Sequence, residues 1–427
     1  MHKVDDIEID QLSKIEGHAD LRIKIRNDKV EDVQLRITEN KRFYTQAIKG
    51  KPVNNIAQVV SRICGTCSIA HNTCCIESLE NALKIKPSEQ TLMLRNLNMY
   101  GLMIRDHALH LYLFCMPDIF GVDSVLQFEG KNHQYLHDAF DVKKVGNNLC
   151  TRIGGRAVHP MLPQIGGFLK TPDINQLKES VNEMKAIRPR IFDLIDIFHR
   201  CDFKFENKRH FVALTNDDYN YIKGKICSSA GHCIEEADYW DHLERIIIPY
   251  SQATAFRFEG EPFMVGALPR MNLNKKSLHP DTKKDASKAL SVFPSENIYH
   301  NNLAQAIEIL NSIDRSIDMI ETAEIKADPR PAVEYKLESG VGVIEAPRGT
   351  LYYMVSLKPD GTIGYGNLII PTAQNEIIMN MDVKKLVESM LDQEKSVVEL
   401  ELEKLIRAYD PCMSCAAHFL KVEWDEK

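Results

Sequence analysis

The sequence predicts a mainly α-helical chain with small β-elements, an α+β fold with a central helical bundle and peripheral hairpins. Three observations predict it. Apolar residues recur at helical spacing in the middle and at the end of the chain, whereas strict alternation is confined to an N-terminal segment and to short runs between Val333 and Ile370. Composition is the third: 44% hydrophobic and 26% charged over 427 residues, with 21 glycines, supplies a core and excludes disordered and collagen-like classes.

Ala19, Leu21, Ile23 and Ile25 alternate with polar residues, a turn falls at Asn27-Asp28, and Val33, Leu35 and Ile37 resume the pattern. That is a hairpin with one buried face. From about Ile69 to Leu83 the residues Ile76, Leu79 and Leu83 keep helical spacing before Pro87, and the stretch from Leu92 to Cys115 is apolar nearly all round, a buried helix ending at Pro117. Leu303, Ile307, Leu310, Ile313, Ile317 and Ile320 mark a third helix. Lys384 to Ala408 reads as one further helix, which Pro411 terminates, and Val333 to Ile370 reads as short strands around a Pro359-Asp360-Gly361 turn. The chain is expected to form a single domain over 1–427, with a β-rich part at 1–60, the helical bundle at 61–330, and strands plus a C-terminal helix at 331–418.

A net charge of -7 without a dominant basic face argues against nucleic-acid binding. The longest apolar runs, such as Leu109 to Met116, fall short of the roughly 20 residues of a membrane span. The charged start, MHKVDDIEID, does not resemble a signal peptide, so a cytoplasmic location is expected. Eleven cysteines in such a chain are read as reduced thiols or ligands rather than a disulfide framework. No G-x-G-x-x-G or P-loop appears, Gly340 and Gly342 lacking a third glycine, and there is no ferredoxin-like cysteine run.

Two C-x-x-C pairs stand at opposite ends of the chain, Cys64 with Cys67 and Cys412 with Cys415. Two-residue spacing at a helix end lets both thiolates face one metal centre, and four soft sulfur donors suit zinc, nickel or iron rather than magnesium or calcium. The plain reading is a structural zinc site. Zinc ribbons, however, bring their second pair within about 15 to 20 residues of the first, and here almost the whole chain intervenes. A catalytic centre between bundle helices fits that separation better.

R-I-C-G-T-C-S-I-A-H (Arg62 to His71) and D-P-C-M-S-C-A-A-H (Asp410 to His418) resemble the two signature motifs of nickel-iron hydrogenase large subunits. K-I-E-G-H (Lys14 to His18), R-D-H-A-L-H (Arg105 to His110) and E-A-P-R-G (Glu345 to Gly349) extend the resemblance over essentially the whole chain. Three stretches, L-H-L-Y-L from Leu109, G-E-P-F-M-V-G-A-L from Gly260 and N-N-L-A-Q-A from Asn301, most resemble the cytoplasmic sulfhydrogenase type linked to NAD(P).

The resemblance implies that fold and reversible H2 oxidation at a nickel-iron centre carrying carbon monoxide and two cyanides. All four cysteines would bind nickel, with Cys67 and Cys415 shared with iron and Cys64 and Cys412 terminal. Glu16 matches the glutamate that receives the proton, and Arg348 the arginine over the open metal position. Thr372 is in place to donate to a cyanide, while Asp106 and Asp410 match acids that orient Arg348. The plainer reading of the acids is an ordinary salt bridge or helix cap, and of Glu16 an exposed strand residue. His418 resembles the ligand of a separate magnesium, but where most relatives have a glutamate this chain has Thr45, whose neutral hydroxyl is a weaker ligand than a carboxylate for so hard a cation. His71 is read as a supporting residue near the metals.

Cys74, Cys75, Cys115, Cys150 and Cys201 are read as small buried residues. Cys227 and Cys233 with His232 between them offer a further metal site, for which a surface insertion is the plainer account. Phe419 to Lys427 is expected to be an extension removed by a maturation endopeptidase. The implied partners are an iron-sulfur small subunit, because the electrons must leave, and diaphorase subunits carrying FAD and binding NAD(P). The competing readings are a hydrogenase subunit feeding a heterodisulfide reductase and a non-catalytic scaffold like the related Complex I subunit, whose kind lacks the cysteines.

Overall fold

The computed structural model describes residues 6–27, 29–39 and 43–417. The alternating N-terminal segment forms a three-stranded antiparallel sheet, β1 (Ile7–Ile9), β2 (Ala19–Arg26) and β3 (Lys29–Ile37), in that spatial order. Ala19, Leu21, Ile23, Ile25, Leu35 and Ile37 are buried on one face, as a period of two requires. Arg26 pairs with Lys29, and Asn27 begins the reversal at φ +51°.

The bundle is built from α1 (Val53–Val60), α2 (Ser68–Leu83), α3 (Glu89–Ala108), α4 (His133–Gly154) and α5 (Ile174–Arg200), joined further on by α6 (Ala267–Asn274) and α7 (His300–Thr322). Ser88 caps α3 by accepting the Thr91 N–H at 3.0 Å. The helix predicted to end at Pro117 does not stop there. Leu109–Cys115 winds as π-helix and Met116–Phe120 returns to α, with Pro117 in the first turn of that segment, where its missing N–H costs nothing. In α5, Pro189 lies inside the helix but on an exposed face, while Leu177, Val181, Met184, Ile187, Ile191 and Leu194 face the core.

Within the stretch expected to be helical, residues 210–264 carry strands β4 (His210–Thr215), β5 (Lys225–Ser228), β6 (Cys233–Ile234), β7 (Leu243–Ile247), β8 (Thr254–Phe258) and β9 (Phe263–Met264). They form one sheet in the order β9-β4-β5-β6 and a separate β8-β7 ladder. Cys227 and Cys233 are opposite each other in the β5–β6 register with Cα atoms 4.1 Å apart, and they form a disulfide. The reading of every cysteine as thiol or ligand is therefore corrected for this pair, because the hairpin places the two sulfurs within bonding reach.

A meander of β10 (Ser339–Ala346), β11 (Gly349–Leu357) and β12 (Ile363–Ile369) follows, its second reversal at Pro359-Asp360-Gly361 closed by Gly361 N–H to Lys358 O at 3.0 Å. The single helix expected over Lys384 to Ala408 is instead the end of α8 (Pro371–Glu388), a turn over residues 389–394, and α9 (Lys395–Ala408). Ser389 and Asp392 favour such a turn, and Glu394 enters α9 from extended backbone, ψ 142°. A short α10 (Met413–Ala416) follows.

Helix α2 lies directly on β10, and glycines allow the contact. A Cβ on Gly340 would stand 2.2 Å from Ser78 O and 2.3 Å from Ala82 N, and one on Gly342 would stand 2.5 Å from Cys74 O. Since α2 begins at the first cysteine pair, this contact sets the height of that pair over the sheet. Gly340→Ala is expected to destabilise the chain by about 1–3 kcal/mol, because the opposing atoms are backbone and cannot swing aside. An unchanged denaturation midpoint would show that the helix rides free of the strand.

Candidate metal centre

Both cysteine pairs open helices. Cys64 is in extended backbone between the turn Ser61–Ile63 and α2, Cys67 precedes the first residue of α2, Cys412 precedes the first residue of α10, and Cys415 lies within α10. Asp410 turns the chain between α9 and α10 at φ +51°, an uncommon conformation for a non-glycine residue. The four sulfurs meet within 4.8 Å of one another, with Cys67 Sγ 3.0 Å from Cys415 Sγ, Cys412 Sγ 2.9 Å from Cys415 Sγ and Cys64 Sγ 3.5 Å from Cys412 Sγ. All four residues are buried.

The K-I-E-G-H segment closes over the second pair. Met413 N–H donates to Glu16 O at 2.8 Å, and the Cys412 thiol donates to Glu16 Oε2 at 2.9 Å. Gly17, at φ +82°, is where the loop passes closest: a Cβ there would stand 2.7 Å from Ser414 N and 2.9 Å from Met413 Cβ. Burial, then the neighbouring Cys64 charge, hold the Glu16 carboxyl above the usual carboxylate range, against the Cys412 hydrogen bond.

The sulfurs divide the charge unequally. Hydrogen bonds from Cys412, Cys415 and Cys67 hold Cys64 well below the usual thiol range, whereas burial and then bonds to the other sulfurs push Cys412 up, and burial pushes Cys415 up against the hydrogen bond from Cys412. Cys67 is drawn down by Cys412 and Cys415, but its bond to Cys64, burial and the Cys64 charge outweigh them and leave it at about 11. So dense a cluster cannot become four thiolates on its own, and only a cation inside it reverses that balance.

Arg348, buried, follows the Ala346-Pro347 corner between β10 and β11. Its Nη1 donates to Asp106 Oδ2 at 2.8 Å and its Nη2 lies 3.0 Å from Asp410 Oδ1. Its Nε–H has no partner among the described residues. It lines a narrow cavity with Cys67, Cys412, Cys415 and Thr372, whose other walls are Ala70, His71, Ala346, Leu351, Ile370 and Pro371. Thr372 Oγ1 accepts the Cys412 N–H at 2.9 Å, which leaves its own hydroxyl proton to donate. Small acceptor ligands on a second metal fit this apolar space with its unmatched donor. A lone zinc held by four sulfurs has no use for it.

The structure thus brings together Cys64, Cys67, Cys412, Cys415, Glu16, Arg348, Asp106, Asp410 and Thr372. His418 and Phe419 to Lys427 lie outside the described residues, while Thr45 is in the short helix Tyr44–Ala47. His71 has its Nε2 3.6 Å from Cys415 Sγ and its Nδ1 2.7 Å from the Tyr353 hydroxyl, a partner that sequence reasoning missed. Gln305 was missed as well: its Nε2 donates to Asp410 Oδ2 at 2.9 Å, and its Oε1 is 2.6 Å from His110 Nδ1. One signal was available, since R-D-H-A-L-H sends Arg105 to Thr66 O, Asp106 to Arg348, His107 to Glu308 and His110 to Gln305.

A family described as nickel-dependent hydrogenase matches residues 42–148 and 228–418. Sulfhydrogenase 1 subunit alpha of Pyrococcus furiosus is 32% identical over 422 residues, covering 97% of this chain and 98% of that one. The NAD-reducing hydrogenase HoxS subunit beta of Cupriavidus necator is 26% identical over 464 residues, covering 96% and 94%. Among solved structures, an NAD+-reducing [NiFe]-hydrogenase in the H2-reduced state superposes with a TM-score of 0.86 at 23% identity, covering 98% of this chain and 100% of that one. Replacing any of Cys64, Cys67, Cys412 or Cys415 by Ala is expected to remove bound transition metal from natively produced protein, while Cys150→Ala and Cys201→Ala keep it. Elemental analysis per chain decides, and full metal in the first set would refute the four-sulfur site.

Proposed function

This chain belongs to the nickel-dependent hydrogenase family and is a catalytic subunit of that kind, an oxidoreductase acting on H2; we propose that it serves a cytoplasmic nickel-iron enzyme working reversibly with NAD(P) or another soluble acceptor. The observation that carries this reading is the meeting of four buried cysteine sulfurs beneath Arg348 and beside Glu16. A bound nickel-iron centre supplies heterolytic cleavage of H2 into protons and electrons.

The chain's own residues do the rest. Cys64 and Cys412 would hold nickel, and Cys67 and Cys415, whose sulfurs are 3.0 Å apart, would hold both metals. Cys412 Sγ passes its proton to Glu16 Oε2 over 2.9 Å, and a carboxyl held above its usual range can carry it onward. Glu16 is half-buried and lies two residues before the exposed His18. Arg348 keeps a positive charge and an open donor over the cavity, fixed in direction by Asp106 and Asp410. Thr372 holds Cys412 by its backbone and offers its hydroxyl to the same space.

Electrons need a carrier that the sequence does not encode, so we assign them to an iron-sulfur small subunit and, beyond it, to diaphorase subunits with FAD. The names of the relatives, a sulfhydrogenase and an NAD-reducing hydrogenase, support that arrangement. Among the described residues no helix is long and apolar enough to cross a membrane. Magnesium binding at His418, with Thr45 as a weak neighbour, and removal of residues 419–427 belong to the same proposal.

An infrared spectrum of the natively matured complex is expected to show one carbonyl and two cyanide bands. Their absence, with nickel also missing, would return the four cysteines to zinc or to a scaffold. Glu16→Gln is expected to keep nickel and iron while lowering H2/D2 exchange by about 100-fold or more, the usual worth of a positioned proton carrier. Wild-type exchange in that variant would exclude Glu16 from the proton route.

A further inference from the structure

Arg270, on α6, is fully buried and spends all five of its guanidinium donors inside the protein. Nε and Nη2 grip Glu308 Oε1 and Oε2 at 2.6 and 2.7 Å, and Nη1 reaches Glu345 Oε2 at 2.8 Å. The two remaining donors go to Ala346 O and Pro347 O, each at 3.0 Å. Those are the carbonyls immediately before Arg348.

The other side of the Arg348–Asp106 pair is tied to the same knot. Glu308 Oε2 is also 2.9 Å from His107 Nε2, and His107 is the residue after Asp106. Tyr219 donates to Glu308 Oε1 at 2.9 Å, and Thr350 donates to Glu345 Oε1 at 2.8 Å. One guanidinium therefore restrains the backbone before Arg348 directly and, through Glu308, the His107 side chain next to Asp106, the two members of the 2.8 Å contact that aims Arg348. A saturated, bidentate fork fixes position in a way that a single hydrogen bond cannot.

We propose that Arg270 is the positioning residue for Arg348, holding the Ala346-Pro347 corner so that the Arg348 guanidinium stands over the four sulfurs. It touches neither sulfur nor cavity, and acts only through Arg348. The inference rests on the assignment of Arg348 to the ligand cavity of the metal centre.

Three variants of the natively matured complex test it: Arg270→Lys, Arg348→Lys and the two together. Lysine keeps a charge opposite Glu308 but lacks the fork that reaches both carbonyls. Arg270→Lys is expected to retain nickel and iron, to shift the cyanide infrared bands in the same sense as Arg348→Lys, and to lower H2/D2 exchange by about 10- to 100-fold. With Arg348→Lys already present, it should cost no more than about twofold further. Should Arg270→Lys take up no nickel, Glu308→Gln, which loosens the fork while leaving Arg270 in place, carries the same expectations. Unshifted bands with wild-type exchange in whichever variant loads, or losses that multiply in the double variant, would overturn the proposal. Wild-type exchange in Arg348→Lys would instead overturn the assignment of Arg348 itself.

Discussion

Four sulfurs buried within 4.8 Å of one another are the constraint on which the rest of the structure depends. Their anionic forms repel, and burial removes the water that would otherwise screen them. The cluster is compatible with full deprotonation only around a cation, so the fold must deliver two helix starts from opposite ends of the chain to one point and hold them there. The α2–β10 contact through Gly340 and Gly342 holds the first start, and the Gly17 loop presses on the second. Neither has space to spare.

Around the sulfurs the protein buries several charged groups and pairs them with one another. Arg348 meets Asp106 and Asp410; Asp410 meets Gln305; Arg270 meets Glu308 and Glu345. Buried ion pairs of this kind add little net stability, because desolvation offsets much of the attraction. What they add is direction: a network with its hydrogen bonds made has one arrangement, and a reaction that moves single protons beside a charged centre requires one. Among the described residues, Arg348 Nε, Asp106 Oδ1 and His107 Nδ1 are exceptions without a partner, and Arg348 borders the cavity.

The hairpin at the N-terminus, the helices from Ser68 and His300 and the strands after Ser339 were legible because each buries one face, and burial of one face writes a period of two or 3.6 into the chain. The reading failed where that signal is weak or local chemistry intervenes. Pro117 looked like a stop but takes a place that needs no N–H, and the break after Glu388 rests on two turn-forming side chains inside an otherwise continuous apolar pattern. The short strands of residues 210–264 are two to six residues long, too short for a period to declare itself, and the Cys227–Cys233 bond depends on their pairing.

By itself the sequence determined the chemistry: which side chains could bind a soft metal, carry a proton or hold an anion, and the family to which their order belongs. These are properties of residue type and spacing, and they survive without coordinates. Only the tertiary structure decided which groups meet. That Tyr353 backs His71, that Gln305 anchors Asp410 and that Arg270 reaches the two carbonyls before Arg348 follow from helices and strands distant in sequence packing at fixed heights. No local pattern records such a meeting, because the free energy that enforces it comes from the burial of the whole core rather than from the residues that touch.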